Sequence, residues 1–212
     1  MKQTHKTKAL IIILSFCINS IFAQTFKDVF NPETMITYLG IDFTNVKVIG
    51  HQDGEVMDLV DRQFSAINQL VLDESKKYDV AGALRRPTVR PDLSFVTAKN
   101  KTISVETIKS TDVADEKHLG EADINKIVKG YNFGGKKGIG FLMVMESMSK
   151  KSERGSIYLT FVDMATSKVL YTERVTEKCG GFGLRNYWAK SIYEAIDDIH
   201  DSKYKAWQKT NS

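Results

Sequence analysis

The feature that most constrains the fold of this 212-residue chain is a series of three β-prone segments near its C-terminal end. Residues 139–146 are almost entirely apolar, and residues 169–175 form another β-prone segment. The segment between them has the two-residue period of a strand: Ile157, Leu159 and Phe161 alternate with Tyr158, Thr160 and Val162. Polar turns at residues 149–155 and 165–168 join the three. Strands joined by such short turns pair in antiparallel order, so the sequence predicts an antiparallel meander.

Two amphipathic helices are predicted outside this meander. Apolar residues recur at three- and four-residue steps over residues 55–72, and again over residues 185–199, where Trp188 and Ile192 lie on the stripe. A wide apolar stripe on a helix is typical of packing against a core. We therefore predict an α+β (α/β layered) fold: a mixed sheet, with its C-terminal antiparallel meander at about residues 139–175, covered by helices 55–72 and 185–199.

The remaining elements are predicted from shorter patterns. Asn31 and Pro32 have the residue types of a helix cap and first helical position, and Gly40 is suited to end that helix. Glu121–Tyr131 is predicted as a further helix. The predicted strands are Phe43–Ile49, Tyr78–Ala81 and a hairpin of Leu93–Ala98 with Thr102–Ile108, and the predicted loops are Arg85–Asp92 and Ser110–Gly120.

The first 23 residues have the order of an export signal: a basic stretch, a short apolar run and a small residue before Gln24. The apolar run of residues 9–16 is much shorter than the ~20 residues that span a bilayer. We therefore predict a signal peptide at residues 1–23 and a single α+β domain at residues 24–212. The expected location is the periplasm or the extracellular medium, and a lipid anchor at Cys17 is the alternative.

Charge and cysteine content narrow the function classes. Three of the 30 Lys and Arg residues lie in the leader, which leaves 27 against 26 Asp and Glu and a net charge of +1. A nearly neutral chain without a basic stripe gives no electrostatic reason to expect nucleic acid as a partner. Cys179 is the one cysteine after the leader, so no disulfide framework is expected within one chain.

A glycine-rich segment at residues 130–137, GYNFGGKK, matches the beginning of a phosphate-binding loop. That motif needs Ser or Thr after the lysine to hold Mg²⁺, and Lys137 stands there. It also needs a strand before it and a helix after it, whereas here a predicted helix precedes a predicted strand. The segment is therefore interpreted as a basic helix-to-strand connection, with anion binding through Lys136 and Lys137 as the alternative.

A second glycine-rich segment, CGGFGLRNYW at residues 179–188, joins the last predicted strand to the last predicted helix. Cys179 has neither the surroundings of a cysteine protease nor a partner at metal-ligand spacing, so we interpret it as a partly or fully buried thiol. Asn186 is a second residue that could cap the helix. His51, His118 and His200 do not form a metal-binding motif, and no cofactor is predicted.

Residues 156–199 have the order strand, turn, strand, small-residue loop and helix, with Asp163, Thr166 and Val169 spaced three apart at the turn. This layout resembles the C-terminal half of envelope domains such as the curli-secretion and penicillin-binding-protein-activator lipoproteins and their relatives of the TolB N-terminal type. Ser167 stands where that group usually has Gly. The resemblance covers about a quarter of the chain. It implies a non-catalytic assembly or adaptor role in the envelope and transfers no functional residue. The leader and Gln24 also resemble those of exported Bacteroidota-type proteins.

These observations predict an exported, non-catalytic envelope binding or adaptor protein. Its expected partner is an envelope protein or a cell-surface component, with peripheral membrane association as an alternative. A hydrolase acting on envelope material and a small-anion-binding domain are the alternative functions. The candidate binding residues are Arg85, Arg86, Arg90, Lys136, Lys137, Gly180, Gly181, Gly183, Arg185 and Tyr187; no catalytic or metal-binding residue is assigned.

Overall fold

The computed structural model describes residues 24–211, so the predicted leader and its Cys17 lie outside the described residues. Within that range the fold is a mixed α/β structure built on an open seven-stranded sheet that helices cover. The strands are β1 (Ile36–Asp42), β2 (Lys47–Ile49), β3 (Arg90–Pro91), β4 (Lys109–Ser110), β5 (Ile139–Ser149), β6 (Arg154–Asp163) and β7 (Lys168–Lys178).

The helices are α1 (Asp53–Asp58), α2 (Phe64–Asp73), α3 (Val80–Ala83), α4 (Ser94–Asn100), α5 (Val105–Ile108), α6 (Glu121–Lys129), α7 (Leu184–Asp198) and α8 (Tyr204–Asn211). One π-helical turn, Leu59–Gln63, joins α1 to α2, and another, Ile199–Lys203, joins α7 to α8. The predicted helix at residues 55–72 is therefore part of one longer helical segment. Two 3₁₀ turns, Phe26–Phe30 and Val113–Lys117, complete the structure of the described residues.

Strand β5 is the centre of the sheet. On one side it pairs with β6 in antiparallel order, and β6 pairs with β7, which confirms the predicted meander. On the other side, β1 and β2 pair in parallel with the two halves of β5, one after the other. The short strands β3 and β4 extend the sheet beyond β1 and β2, also in parallel. The sheet is thus mixed, as predicted.

Both faces of the sheet are covered. Apolar side chains of α2, α7 and α8, including Ile67, Trp188 and Trp207, pack on one face. Helices α4 and α6 pack Val96 and Ile124 on the other. Strand β5 is fully buried because its side chains enter the two cores in turn, which explains why its sequence is a continuous apolar run. The two helices predicted to cover the sheet lie on the same face.

The helix predicted between Asn31 and Gly40 is wrong, because a turn occupies the first half of this segment and β1 the second half. Strand β1 is buried on both faces, so it lacks the alternation by which a strand is recognised. Gly40 lies at an irregularity in β1 with a φ of 94°. A Cβ there would lie 2.7 Å from Asn68 Oδ1. The glycine is needed because the Asn68 amide approaches β1 closely, donating to the Ile41 carbonyl and accepting from its N–H.

The predicted hairpin of residues 93–98 and 102–108 is also wrong, since α4 and α5 occupy these positions. Asp92 stabilises the chain just before α4 by accepting hydrogen bonds from the Ser94 N–H and hydroxyl. Residues 78–81 do not form the predicted strand, because α3 begins at Val80 and its cap Asp79 accepts from the Gly82 N–H. In both places a local hydrogen bond to an aspartate side chain outweighs β propensity.

The predicted strand Phe43–Ile49 is reduced to the three residues of β2. Asp42 at the end of β1 accepts hydrogen bonds from the N–H and hydroxyl of Thr44, which turns the chain away from the sheet. The predicted helix Glu121–Tyr131 is confirmed as α6, which is two residues shorter. The predicted loop Ser110–Gly120 contains the last residue of β4 and a 3₁₀ turn.

Candidate functional site

The loop of residues 179–183, between β7 and α7, presents Phe182 to solvent. The Phe182 side chain is 96% exposed, although phenylalanine is among the residues most often buried in folded proteins. Glycines flank it on both sides, and Gly181 and Gly183 have φ values of 112° and 82°. We call residues 179–183 the Phe182 loop. Its backbone depends on glycine, and its one large side chain has almost no intramolecular cover.

The Phe182 loop leads directly into α7, which begins at Leu184 with Gly183 as its N-cap. Gly183 combines a φ of 82° with a ψ of 149°, a region that is essentially restricted to glycine. The helix therefore begins one residue before the predicted Arg185, and Asn186 is not its cap. The Gly180 N–H donates to the carbonyl of Tyr187 at 3.1 Å, which ties the loop back to the first turn of α7.

Cys179, at the start of this loop, is a half-buried free thiol. Burial raises the pKa of the thiol to about 12, although a hydrogen bond with Ser191 opposes the shift. The thiol is consequently protonated near neutral pH, and only a thiolate is an effective nucleophile. The Cys179 N–H donates to the Glu153 carbonyl at 2.9 Å. This geometry agrees with the interpretation of Cys179 as a structural thiol.

The surroundings of the Phe182 loop carry positive charge. Lys178 ends β7 opposite Arg154 of β6, and both residues are exposed. Arg185, in the first turn of α7, is exposed as well, and its Nε lies 3.2 Å from Asn186 Oδ1. Glu153 adjoins the loop through its backbone, and the charge of Glu177 interacts with that of Arg154. The loop that carries Phe182 is therefore flanked by three cationic and two acidic residues.

Tyr187 is half-buried and differs from Phe182 in this respect. Its ring packs edge-on against the buried ring of Trp188, with 5.0 Å between their centroids. Burial raises the pKa of the Tyr187 hydroxyl. Tyr187 thus supports the base of the Phe182 loop. Sequence reasoning singled out Tyr187 and the glycines but missed Phe182, although its glycine neighbours were the available signal.

The three arginines predicted as contact groups lie in different environments. Arg85, with a φ of 53°, donates from Nη2 to the His200 carbonyl at 2.7 Å. Arg86 differs from the expected surface position: it is 7% exposed, and its Nη2 donates to the carbonyl of Val29. It anchors the 3₁₀ turn at Phe26–Phe30 and is not available to a partner. Arg90, in β3, is exposed.

Arg90 instead lies together with Lys136 and Lys137 in an open cleft of about 490 Å³ at the beginning of β1 and β5. We call it the basic cleft. Lys136 forms an ion pair with Asp92, which is also part of the lining, and its Nζ lies 5.0 Å from the centroid of Phe95. Burial acts to raise the pKa of Asp92, but hydrogen bonds from Lys136 and Ser94 outweigh it and lower that pKa.

The segment that supplies Lys136 and Lys137 connects α6 to β5, as predicted. Gly134, Gly135 and Gly138 have positive φ values of 62°, 73° and 101°. The segment follows a helix and opens a strand, which is the reverse of the order in a nucleotide-binding phosphate loop. It places its basic side chains at the mouth of the basic cleft without presenting a helix N-terminus to it.

The histidines have separate structural roles. His51 is buried beside Glu55, with Nδ1 and Oε2 3.2 Å apart. His118 Nδ1 lies 2.8 Å from the carbonyl oxygen of Asp115, and His118 Nε2 lies 3.0 Å from that of Asn45. Within residues 24–211, no three His, Cys, Asp or Glu side chains are grouped so as to hold a metal ion.

No protein-family model matches the sequence, and no curated protein matches it significantly. Among the helices of residues 24–211, none is long and apolar enough to cross a membrane.

Proposed function

We propose that this chain is an exported, non-catalytic binding protein of the cell envelope that holds a partner protein through the Phe182 loop. The observation that carries the proposal is the 96% exposure of Phe182 between glycines. Single exposed apolar residues are common, but this one combines an aromatic ring with an exposed arginine, Arg185. Aromatic and arginine side chains are the most frequent energetic anchors of protein interfaces. The export signal predicted at residues 1–23 and the resemblance to envelope domains support the compartment.

The energetics favour insertion of Phe182 into a pocket of the partner. Fully burying a phenylalanine side chain is worth about 1.5–3 kcal/mol relative to leaving it exposed. Because the ring is already exposed in the free protein, no intramolecular contact is lost when a partner covers it. Glycine neighbours also let a partner approach the loop backbone closely.

The charges around the loop indicate the chemistry of the partner. Arg154, Lys178 and Arg185 are exposed near the loop, and its acidic neighbours are Glu153 and Glu177. A complementary surface would be an apolar pocket with an acidic rim, and such a rim would mainly accelerate association and orient the partner. The proposed partner is accordingly a protein with that surface.

Crosslinking and affinity capture from intact envelopes of the native cells test this proposal. Met35 provides a matched control for the Phe182 loop because it is 52% exposed and lies at the opposite end of the sheet, next to the first residues of β1, where it lines the basic cleft. The wild type and Met35→Ala are expected to recover the same single partner, whereas Phe182→Ala loses it. Because Phe182 makes so few contacts, its removal should change stability by less than about 0.5 kcal/mol.

Two results would contradict the proposal. One is equal recovery of the partner by wild type and Phe182→Ala. The other is Phe182-dependent sedimentation with phosphatidylglycerol vesicles, which would assign the loop to a membrane surface in place of a protein.

A second candidate function, binding of a small anion, is favoured by the basic cleft. Arg90, Lys136 and Lys137 line it, and Asp92 neutralises one of the three cations. If the cleft binds an anion, phosphate or sulfate should raise the melting temperature at constant ionic strength, since a ligand that binds only the folded state stabilises it. Substitution of both Arg90 and Lys137 by Gln should abolish the increase, and an equal increase in that variant would reject this function.

A further inference from the structure

A pocket of about 380 Å³ opens between the C-terminal end of α2, the residues around α3 and the proline-containing loop before β3. Its lining is mainly apolar and includes Val71, Leu72, Val80, Pro87, Val89 and Pro91. The lining residues with polar side chains are Tyr38, Tyr78, Ser75, Asp79 and Thr88. The size and the mixture of apolar walls with a few polar groups are those of a small-molecule site. None of these residues belongs to the Phe182 loop, and Pro91 is the one that also lines the basic cleft.

Tyr38 is the unusual member of this lining. It is 1% exposed, and its hydroxyl has no hydrogen-bond partner among the described residues. Burial raises the pKa of the hydroxyl, so it stays protonated and can act as a donor. Buried hydroxyl groups are nearly always hydrogen-bonded in native proteins. A donor without an acceptor in the wall of a pocket indicates that the acceptor comes from a bound molecule.

We propose that this pocket binds a small, uncharged, largely apolar molecule whose carbonyl or ether oxygen accepts a hydrogen bond from Tyr38. The apolar lining favours a hydrocarbon or aromatic body. The carboxylate of Asp79, which accepts the Gly82 N–H at 2.8 Å through Oδ1, opposes an anionic ligand. The proposal rests on different residues from the proposed function, so either can fail without the other.

The walls of the pocket are largely fixed, so that a shift of lining side chains is enough to bring a ligand oxygen to the buried Tyr38 hydroxyl. Pro87 and Pro91 restrict the backbone of the loop on one side. On the other side, Tyr78 is 2% exposed and packs edge-on against Tyr193 of α7, with 6.1 Å between the ring centroids. A ligand would therefore enter without ordering the chain, which avoids one of the usual entropic costs of binding.

Methyl NMR titration of the purified protein tests this proposal with three probes of similar size: acetophenone, ethylbenzene and benzoate. Acetophenone has the proposed acceptor, ethylbenzene lacks it, and benzoate carries a negative charge. Acetophenone is expected to shift the methyl resonances of Val71, Leu72, Val80 and Val89, but not those of Val96 and Val128 in the opposite core. Absence of these shifts at millimolar acetophenone, or equally tight binding of benzoate, would overturn the proposal.

The variant Tyr38→Phe isolates the hydrogen bond because it keeps the ring and removes only the unpartnered hydroxyl. Its affinity for acetophenone should fall roughly five- to tenfold, the value of one neutral hydrogen bond, while its affinity for ethylbenzene is unchanged. Ser75→Trp, at an exposed position of the lining, should obstruct the pocket and lower the affinity for both acetophenone and ethylbenzene. Equal binding of acetophenone by wild type and Tyr38→Phe would show that the hydroxyl is not the recognition group.

Discussion

The guanidinium of Arg174 in β7 pairs with the carboxylate of Glu146 in β5 across the intervening strand β6. Arg174 Nε lies 2.5 Å from Glu146 Oε2, and Glu146 is fully buried. The same guanidinium donates to the Ser156 hydroxyl and to the Glu116 carbonyl. The N–H of Leu119 satisfies the other carboxylate oxygen. A buried carboxylate at the centre of the sheet therefore depends on one arginine from its edge.

Replacing Arg174 by Met should destabilise the protein by about 3 kcal/mol, because removing one partner leaves a buried charge uncompensated. Arg174 is partly exposed, which places the expected cost at the lower end of the range for buried pairs. Arg154→Met is the matched control, since Arg154 is exposed and forms no ion pair among the described residues. Urea unfolding measures both variants, and equal free energies of unfolding would show that the Glu146 pair contributes nothing.

His51 should make stability depend on pH. Burial and the nearby charge of Lys150 lower its pKa, and Glu55 opposes them only in part. Since the pKa in the folded state is below the unfolded value of about 6.5, the unfolded chain binds a proton more readily as the pH falls. The contribution of His51 is complete above about pH 6.5 and is lost as the pH decreases toward the folded-state pKa.

Unfolding free energies at pH 7.5 and 5.5 test this dependence. His51→Gln should lose less stability than wild type over this interval. If the free energy of unfolding decreases as much in His51→Gln as in the wild type, other groups cause the pH dependence.

Gly183→Ala should be destabilising, because its backbone conformation is essentially available to glycine alone. Such a conformation costs about 1–3 kcal/mol in other residues. Gly180→Ala is the control within the same loop: Gly180 does not have a positive φ, and a Cβ there would meet no atom within 4 Å. Thermal unfolding should separate the two variants clearly. Similar melting temperatures would mean that the loop adapts its backbone to a side chain.

Cys179 should react slowly with a thiol reagent at neutral pH, because burial raises its pKa to about 12. The Cys17→Ser chain makes Cys179 the single thiol, since the sequence contains two cysteines. Labelling should become fast in urea, where the thiol regains its ordinary pKa. Equally fast labelling of the folded chain would restore Cys179 as a candidate nucleophile.

The elements that could be predicted from sequence are those whose pattern arises from one exposed and one buried face, or from short turns between strands. The meander and helix α7 belong to this group. Strand β1 was predicted as a helix because it is buried on both faces and contains Gly40, whose positive φ reflects the close approach of Asn68. Helix α4 was predicted as a strand because its beginning depends on hydrogen bonds that Ser94 donates to the Asp92 carboxylate.

The candidate sites were predictable only in part, since they depend on which segments meet in space. The glycines of the Phe182 loop were recognisable, but the exposure of Phe182 depends on how the folded chain packs around the loop. The meeting of Arg90 with Lys136 and Lys137 requires β1 to pair with both β3 and β5. A prediction that treats β1 as a helix cannot bring those residues together.

Phe182 is proposed to contact the partner itself, and site-specific photocrosslinking in native cells tests this contact most directly. A benzophenone amino acid replaces Phe182 in one chain and Met35, at the other end of the sheet, in a second chain. The account predicts one discrete crosslinked protein from position 182 and none of that size from position 35. The same product from both positions, or no product from position 182, would contradict it.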